Sequence, residues 1–93
     1  MNPEIICAHL IISGKVQGVG YRYYTAQQAK QRGITGWVKN LPDGRVEAVL
    51  EGNKQAITEM IKWCHQGPPA SEVTEVKINY EKPQSYNKFE ITR

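Results

Sequence analysis

The sequence predicts an α+β fold in which two helices cover one face of an antiparallel sheet. Three observations predict it. Apolar, β-branched runs typical of strands alternate with two segments of helical periodicity. The main elements follow the order strand, helix, strand, strand, helix, strand, which is the split βαββαβ arrangement called ferredoxin-like. The length of 93 residues suits one domain, and we expect a single domain over residues 1–93.

The first third of the chain predicts a strand followed by a helix. Residues 5–13 are apolar and β-branched, and strict alternation places Leu10 on one face and Cys7 on the other. A loop with glycines at 14, 18 and 20 follows. Residues 21–32 then show apolar positions at i, i+3 spacing, and Gly33 is a suitable residue after the helix C-terminus.

The middle of the chain predicts a hairpin. Residues 35–41 form one strand, and Pro-Asp-Gly at 42–44 is a turn sequence, because proline presets one φ and glycine accepts a positive one. Residues 45–51 alternate cleanly, and we expect Glu47 and Glu51 on a face left to solvent.

The last third predicts a second helix and two strands. Asn53 is a suitable N-cap, apolar residues follow at helical spacing, and Gly-Pro-Pro at 67–69 ends the helix. Residues 73–80 predict a strand, and residues 88–92 a short final one.

Composition excludes several classes of protein. The longest apolar run, residues 5–12, is far below the ~20 residues that a membrane helix needs, so we expect no membrane partner and a cytoplasmic location. The net charge of +3 is typical of a solubility surplus, not of a nucleic-acid surface. Cys7 and Cys64 lie far apart in sequence, which predicts neither a disulfide framework nor a metal site.

Residues 14–22 are the first candidate for chemistry. A glycine-rich loop between a strand and a helix exposes successive backbone N–H groups, and the helix N-terminus adds partial positive charge. Arg22 adds a full charge and a planar fork that suits phosphate oxygens. The segment therefore predicts an anion cradle. The alternative is a tight turn beside a solvated arginine, and glycine spacing alone leaves both open.

Asn40 is the second candidate. It stands where a strand enters its turn, a position where asparagine is common without any function. Its amide can also accept from water and donate to an anion, so it can hold a nucleophile. Trp37, three residues earlier, and Lys15, beside the glycine loop, are candidates for flanking or steering a substrate.

Two segments together resemble the acylphosphatase family. They are Val-Gln-Gly-Val-Gly-Tyr-Arg at 16–22 and Gly-Trp-Val-Lys-Asn at 36–40, followed by the Asp-Gly turn. The separation of these segments, the chain length and the order of elements agree as well, so the resemblance covers essentially the whole chain. Tyr21 stands where phenylalanine is common in the family.

The resemblance implies hydrolysis of acyl phosphates to a carboxylate and inorganic phosphate, without a metal or cofactor. It implies that Asn40 orients the attacking water and that Arg22 is catalytic. The partners it implies are a small-molecule acyl phosphate, with phosphate as product and competitive ligand, and we expect a monomer. The residues whose amides or side chains would bind the phosphoryl group are Gln17, Gly18, Val19, Gly20, Tyr21 and Arg22.

Three alternative functions would make different demands on the sequence. An RNA-binding module of this fold needs paired aromatic residues on its central strands. Residues 45–51 contain two acidic residues and no aromatic residue. A metal carrier needs a Cys-x-x-Cys loop after the first strand, and this loop has no cysteine. The third alternative is an element that binds phosphate or carbamoyl phosphate without turnover. It would keep the same fold and motif, so only an activity assay separates it from the enzyme.

Overall fold

The computed structural model describes residues 4–92 as two helices packed on one five-stranded sheet. Each predicted element is present, with ends that differ by one or two residues from the sequence expectation. In chain order the elements are β1 (Ile5–Lys15), α1 (Tyr21–Gln31), β2 (Thr35–Asn40), β3 (Val46–Asn53), α2 (Lys54–Gln66), β4 (Glu72–Glu81) and β5 (Phe89–Ile91).

The sheet has the strand order β4-β1-β3-β2-β5. β1 pairs antiparallel with β3 and β4, and β3 pairs antiparallel with β2. β5 pairs parallel with β2, so the sheet is mixed and the prediction of an antiparallel sheet is wrong at this edge. The reason is that β4 and β5 lie at opposite edges, and the chain reverses direction while it crosses from one to the other.

The core lies between the sheet and the helices, as alternation predicts. Leu10 and Ile12 of β1 and Ala48 of β3 are fully buried on the helix-facing side. They meet a set of apolar helix residues that are also buried: Ala26, Ala29, Ala56, Ile57, Met60 and Cys64. Cys64 therefore belongs to the apolar stripe of α2, as its spacing predicts.

The opposite face of the sheet is not left wholly to solvent. Cys7 is fully buried there, and Glu51 is only 6% exposed. The carboxylate of Glu51 accepts hydrogen bonds from the backbone amides of Gln84, at 2.6 Å, and Tyr86, at 3.2 Å. These amides belong to the segment that crosses the sheet from β4 to β5. The expectation of a solvated Glu51 is wrong because the segment that crosses from β4 to β5 covers this carboxylate and donates hydrogen bonds to it.

His9 and Glu47 occupy the same face, further along the strands. His9 Nε2 lies 2.6 Å from Glu47 Oε2, and Lys39 Nζ lies 3.6 Å from the other carboxylate oxygen. This contact joins β1 to β3 across the sheet between residues that are far apart in sequence. Cys7 and Cys64 are both free thiols.

The helix boundaries follow local chemistry. The Asn53 side chain accepts from the amide of Ala56 at 2.8 Å, which confirms the predicted N-cap of α2. Gly67, with φ +68, ends that helix and donates to Trp63 O. Within residues 4–92, neither helix is long and apolar enough to span a bilayer.

Candidate active site

The register of the sheet brings the two predicted segments to one end of the molecule. Ile12 of β1 pairs with Val46 of β3, and Val46 pairs with Asn40 of β2. Since directly paired residues face the same side of a sheet, Asn40 points to the helix-facing side that buries Ile12 and Val46. The loop after β1 and the end of β2 are therefore neighbours, although about 20 residues separate them in sequence.

The loop turns into α1 through Gly20. Its φ of +79 lies in the left-handed region, which glycine adopts without strain. The next residue, Tyr21, is buried, donates its hydroxyl to Cys64 O at 2.8 Å and packs on Trp63. Tyr21 thus anchors the first turn of α1 to α2, and Arg22 directly after it lies on the cleft side.

Gln17 joins the loop to the hairpin that carries Asn40. Its side-chain amide donates to Leu41 O at 2.8 Å and to Arg45 O at 2.9 Å. Leu41 and Arg45 also close the hairpin, because the Leu41 amide donates to Arg45 O at 2.8 Å. The two segments are therefore bound to each other directly at the side of the site.

Arg22 and Asn40 line the same cleft, which has a volume of about 240 Å³. Arg22 is the only charged residue among the described residues that line it. The cleft therefore carries an unbalanced positive charge beside a helix N-terminus, which favours an anion. The complete lining is Val16, Gln17, Gly18, Gly20, Tyr21, Arg22, Tyr23, Asn40 and Ile91.

The backbone amides of residues 17–22 are free of protein acceptors. None of the six donates a hydrogen bond to another group within residues 4–92. Five of the six residues line the cleft, and only Val19 does not, because its side chain packs against the core. A run of unpaired amides at the start of a helix is an anion-binding concavity of the kind that phosphate occupies.

The side chains of Asn40 and Arg22 also have no protein partner among the described residues. Asn40 Oδ1 is buried without a hydrogen-bond partner among the described residues. The half-buried Arg22 makes no ion pair with any residue from 4 to 92. Because a buried amide oxygen without a partner costs free energy, its presence in the cleft fits a group that bonds to a ligand or water.

Two nearby candidates lie outside the cleft. Trp37 lies three residues before Asn40 on β2, so its side chain is on the other face of the sheet. On that face Lys39 Nζ lies 5.3 Å from the centroid of the Trp37 ring. Lys15 ends β1 opposite Glu72 and does not line the cleft.

Two lining residues, Tyr23 and Ile91, were not proposed from the sequence. Tyr23 follows Arg22 directly, a signal that could have found it. Ile91 has no local signal, because only the pairing of β5 with β2 brings it to the site.

No carboxylate, imidazole or thiol stands among the described residues that line the cleft. Burial raises the pKa of the Tyr21 phenol well above its ordinary value, and burial raises the pKa of the Cys64 thiol to about 12. Both groups are therefore neutral at physiological pH. Within residues 4–92, no three His, Cys, Asp or Glu side chains are grouped so that they could hold a metal ion.

Comparison with known proteins gives matches over nearly the whole chain. The family model described as Acylphosphatase matches residues 8–91. An acylphosphatase of Acaryochloris marina is 53% identical over 93 residues, with 100% of both chains covered. An acylphosphatase of Trichormus variabilis is 52% identical over 92 residues, with 99% of this chain and 91% of the relative covered. The crystal structure of acylphosphatase from Bacillus subtilis superposes with a TM-score of 0.92 at 35% identity, covering 95% of this chain and 99% of that one.

Proposed function

The chain belongs to the acylphosphatase family, and from that premise we propose that Arg22 and the amides of residues 17–22 bind the phosphoryl group while Asn40 orients the attacking water. The reaction itself is hydrolysis of the carboxyl–phosphate bond of a small-molecule acyl phosphate. Water attacks phosphorus, the bond to the acyl oxygen breaks, and the products are a carboxylate and inorganic phosphate.

The observation that carries the proposal is the convergence of Arg22, Asn40 and the unpaired loop amides on one cleft. Phosphoryl transfer needs mainly positioning and stabilisation of charge on the phosphoryl oxygens. The amides and the guanidinium supply that charge stabilisation from fixed positions, because Gln17 and Tyr21 anchor the two ends of the loop.

Asn40 supports the hydrolytic step through its unpartnered Oδ1. An amide oxygen accepts a hydrogen bond from water and so turns a lone pair of the water oxygen toward phosphorus. Both hydrogens of the water end on the phosphate product or in solvent. The carboxylate is a weak base and leaves without protonation, so the reaction needs no general acid.

We also propose that the enzyme works as a monomer, because Arg22, Asn40 and the loop amides that the reaction needs converge within one chain. The free thiols of Cys7 and Cys64 suit a reducing compartment such as the cytoplasm, where we place the enzyme.

The test is phosphate release from benzoyl phosphate, with inorganic phosphate as competitor. Arg22→Ala should lower kcat/KM by about 10³-fold or more and weaken inhibition by phosphate, because it removes the only cationic side chain among the residues from 4 to 92 that line the cleft. Arg32→Ala, at a half-buried arginine outside the cleft, is the matched control and should retain activity. Circular dichroism of each variant checks folding.

Asn40→Ala separates the two roles. It should lower kcat by roughly 10²–10³-fold and leave the inhibition constant of phosphate nearly unchanged, since phosphate needs no attacking water. An equal loss of phosphate affinity would make Asn40 a binding residue instead. A wild-type protein that binds phosphate but releases none from benzoyl phosphate would overturn the enzyme in favour of a binding element without turnover.

A further inference from the structure

The cleft has an apolar rim that the phosphoryl chemistry does not use. Tyr23 is 56% exposed and Ile91 is 48% exposed, and both line the cleft that Arg22 and Asn40 share. Five large apolar or aromatic side chains are exposed among residues 4–92, and two of them line this one cleft. Exposed apolar side chains that border a polar site are typical of ligand recognition.

The ring of Tyr23 is held in place. Gln27 Nε2 donates to the Tyr23 hydroxyl at 2.9 Å, one turn along α1. The ring also packs edge-on against Tyr24, with 5.4 Å between centroids. Since Tyr23 and Arg22 line the same cleft, this aromatic surface borders the site that holds the cation.

Ile91 is held on the other side by the sheet. β5 pairs parallel with β2, which sets Ile91 beside Val38, two residues before Asn40. The amide of Thr92 donates to Val38 O at 2.9 Å and extends that pairing. The two apolar side chains therefore come from different elements, α1 and β5, and both border the same opening.

The charges of the cleft restrict what the rim can bind. Arg22 is the only charged residue in the described lining, and the phosphoryl group engages it. An acyl group that carries a second negative charge would meet Tyr23 and Ile91, and within residues 4–92 no second cation lines the cleft to balance that charge. An uncharged apolar acyl group would bury its surface against them.

We propose that Tyr23 and Ile91 form a subsite for the acyl group, and that the enzyme selects acyl phosphates with an uncharged apolar acyl group, aromatic ones above all. This proposal rests on the proposed function, because it takes the phosphoryl group to lie in the loop. The acyl group is in contact before and during the reaction, so the subsite lowers KM more than it raises kcat.

The experiment measures kcat and KM for benzoyl phosphate and acetyl phosphate with the wild type, Tyr23→Ser and Ile91→Ser. Each variant should lose about tenfold in kcat/KM for benzoyl phosphate, mainly through KM, and less than twofold for acetyl phosphate. The two substrates differ in intrinsic reactivity, but that difference cancels when each variant is divided by the wild type. Inhibition by inorganic phosphate should stay unchanged, because phosphate has no acyl group.

Two controls sharpen the result. Tyr23→Phe keeps the ring and should keep the selectivity for benzoyl phosphate. Tyr80→Ser changes a tyrosine that is 65% exposed on the edge strand β4, away from the cleft, and should leave kcat/KM for both substrates unaffected.

A second pair of substrates tests the charge of the acyl group. Butyryl phosphate and succinyl phosphate have acyl chains of four carbons that differ only in a terminal methyl or carboxylate group. The kcat/KM of the wild type should be at least fivefold higher for butyryl phosphate.

If both serine variants change kcat/KM by the same factor for benzoyl and acetyl phosphate, the ratio of the two values stays as in the wild type. That result would overturn the subsite and leave the proposed function intact. Equal turnover of butyryl and succinyl phosphate would overturn the exclusion of charged acyl groups. Failure of the wild type to hydrolyse any acyl phosphate would instead overturn the proposed function, so the two failures are distinguishable.

Discussion

The side-chain amide of Gln17 donates to the backbone carbonyl of Leu41 across 2.8 Å, and this bond joins the glycine-rich loop to the hairpin that carries Asn40. The same amide donates to Arg45 O at 2.9 Å, so both protons of one NH₂ group are engaged by one turn. Resemblance to the family suggested Gln17 through its backbone amide alone. Its side chain adds a second role, which is to hold the distance between the phosphoryl cradle and the residue that orients water.

Gln17→Ala should therefore slow catalysis while it leaves the backbone amide of residue 17 in place. We expect kcat/KM for benzoyl phosphate to fall about tenfold, because a small displacement of reacting groups is costly. The decisive measurement is a double-mutant cycle: in an Asn40→Ala background, Gln17→Ala should cost less than twofold. Additive losses would show that Gln17 does not act through Asn40. Gln55→Ala, on the exposed side of α2, is the control and should be neutral.

The parts of this fold that could be predicted depend on local sequence. The Asn53 cap, the turn at 42–44 and the alternation of β1 need only neighbouring residues, and all three agree with the structure. The position of β5 depends on a parallel pairing between segments about 50 residues apart, which no local pattern encodes.

The same distinction applies to the cleft. Arg22 and Asn40 stand in recognisable motifs, but only the register through Val46 shows that they share one side of the sheet. Ile91 reaches the cleft through β5 and was missed for that reason. Glu51 was misjudged because alternation reports the face of a strand and says nothing of a segment that later crosses it.

The carboxylate of Glu51 should stabilise the crossing between β4 and β5. Glu51→Ala leaves the amides of Gln84 and Tyr86 without their acceptor, and we expect a loss of about 2–3 kcal/mol in the free energy of unfolding. Glu51→Gln keeps one acceptor oxygen and should lose less. Urea denaturation measures both, and the exposed Glu90→Ala should stay within about 0.5 kcal/mol of the wild type. A neutral Glu51→Ala would contradict the assignment.

The backbone conformation at residue 36, the first residue of the segment 36–40, requires glycine. Its φ is +134, and a Cβ placed on it would lie 1.9 Å from Val49 O. Gly36→Ala should therefore destabilise the fold by about 3 kcal/mol or more, through both an unfavourable φ and a shift of β2 from β3. Gly44 also has a positive φ, +96, but open space around it, so Gly44→Ala should cost only about 1–2 kcal/mol. Equal losses in thermal or urea unfolding would remove the steric part of this explanation.

The buried thiol of Cys64 should make stability fall at alkaline pH. Burial raises the pKa of Cys64 from 9.0 to about 12, so the folded state keeps a proton that the unfolded state releases. The contribution is fully present below pH 9 and is lost as the pH rises toward 12. Between pH 8 and pH 10 the free energy of unfolding should drop by about 1.4 kcal/mol from this group.

Cys64→Ala isolates that contribution from the other groups that titrate in the same range, the Cys7 thiol and the Tyr21 phenol, whose pKa values burial also raises. Removal of the thiol lowers stability at every pH through the lost packing, but the drop between pH 8 and pH 10 should become smaller by about 1.4 kcal/mol. Urea unfolding in the presence of a reductant gives both numbers. An unchanged drop in Cys64→Ala would mean that the thiol ionises in the folded protein as readily as in the unfolded chain, and it would contradict the raised pKa that burial gives Cys64.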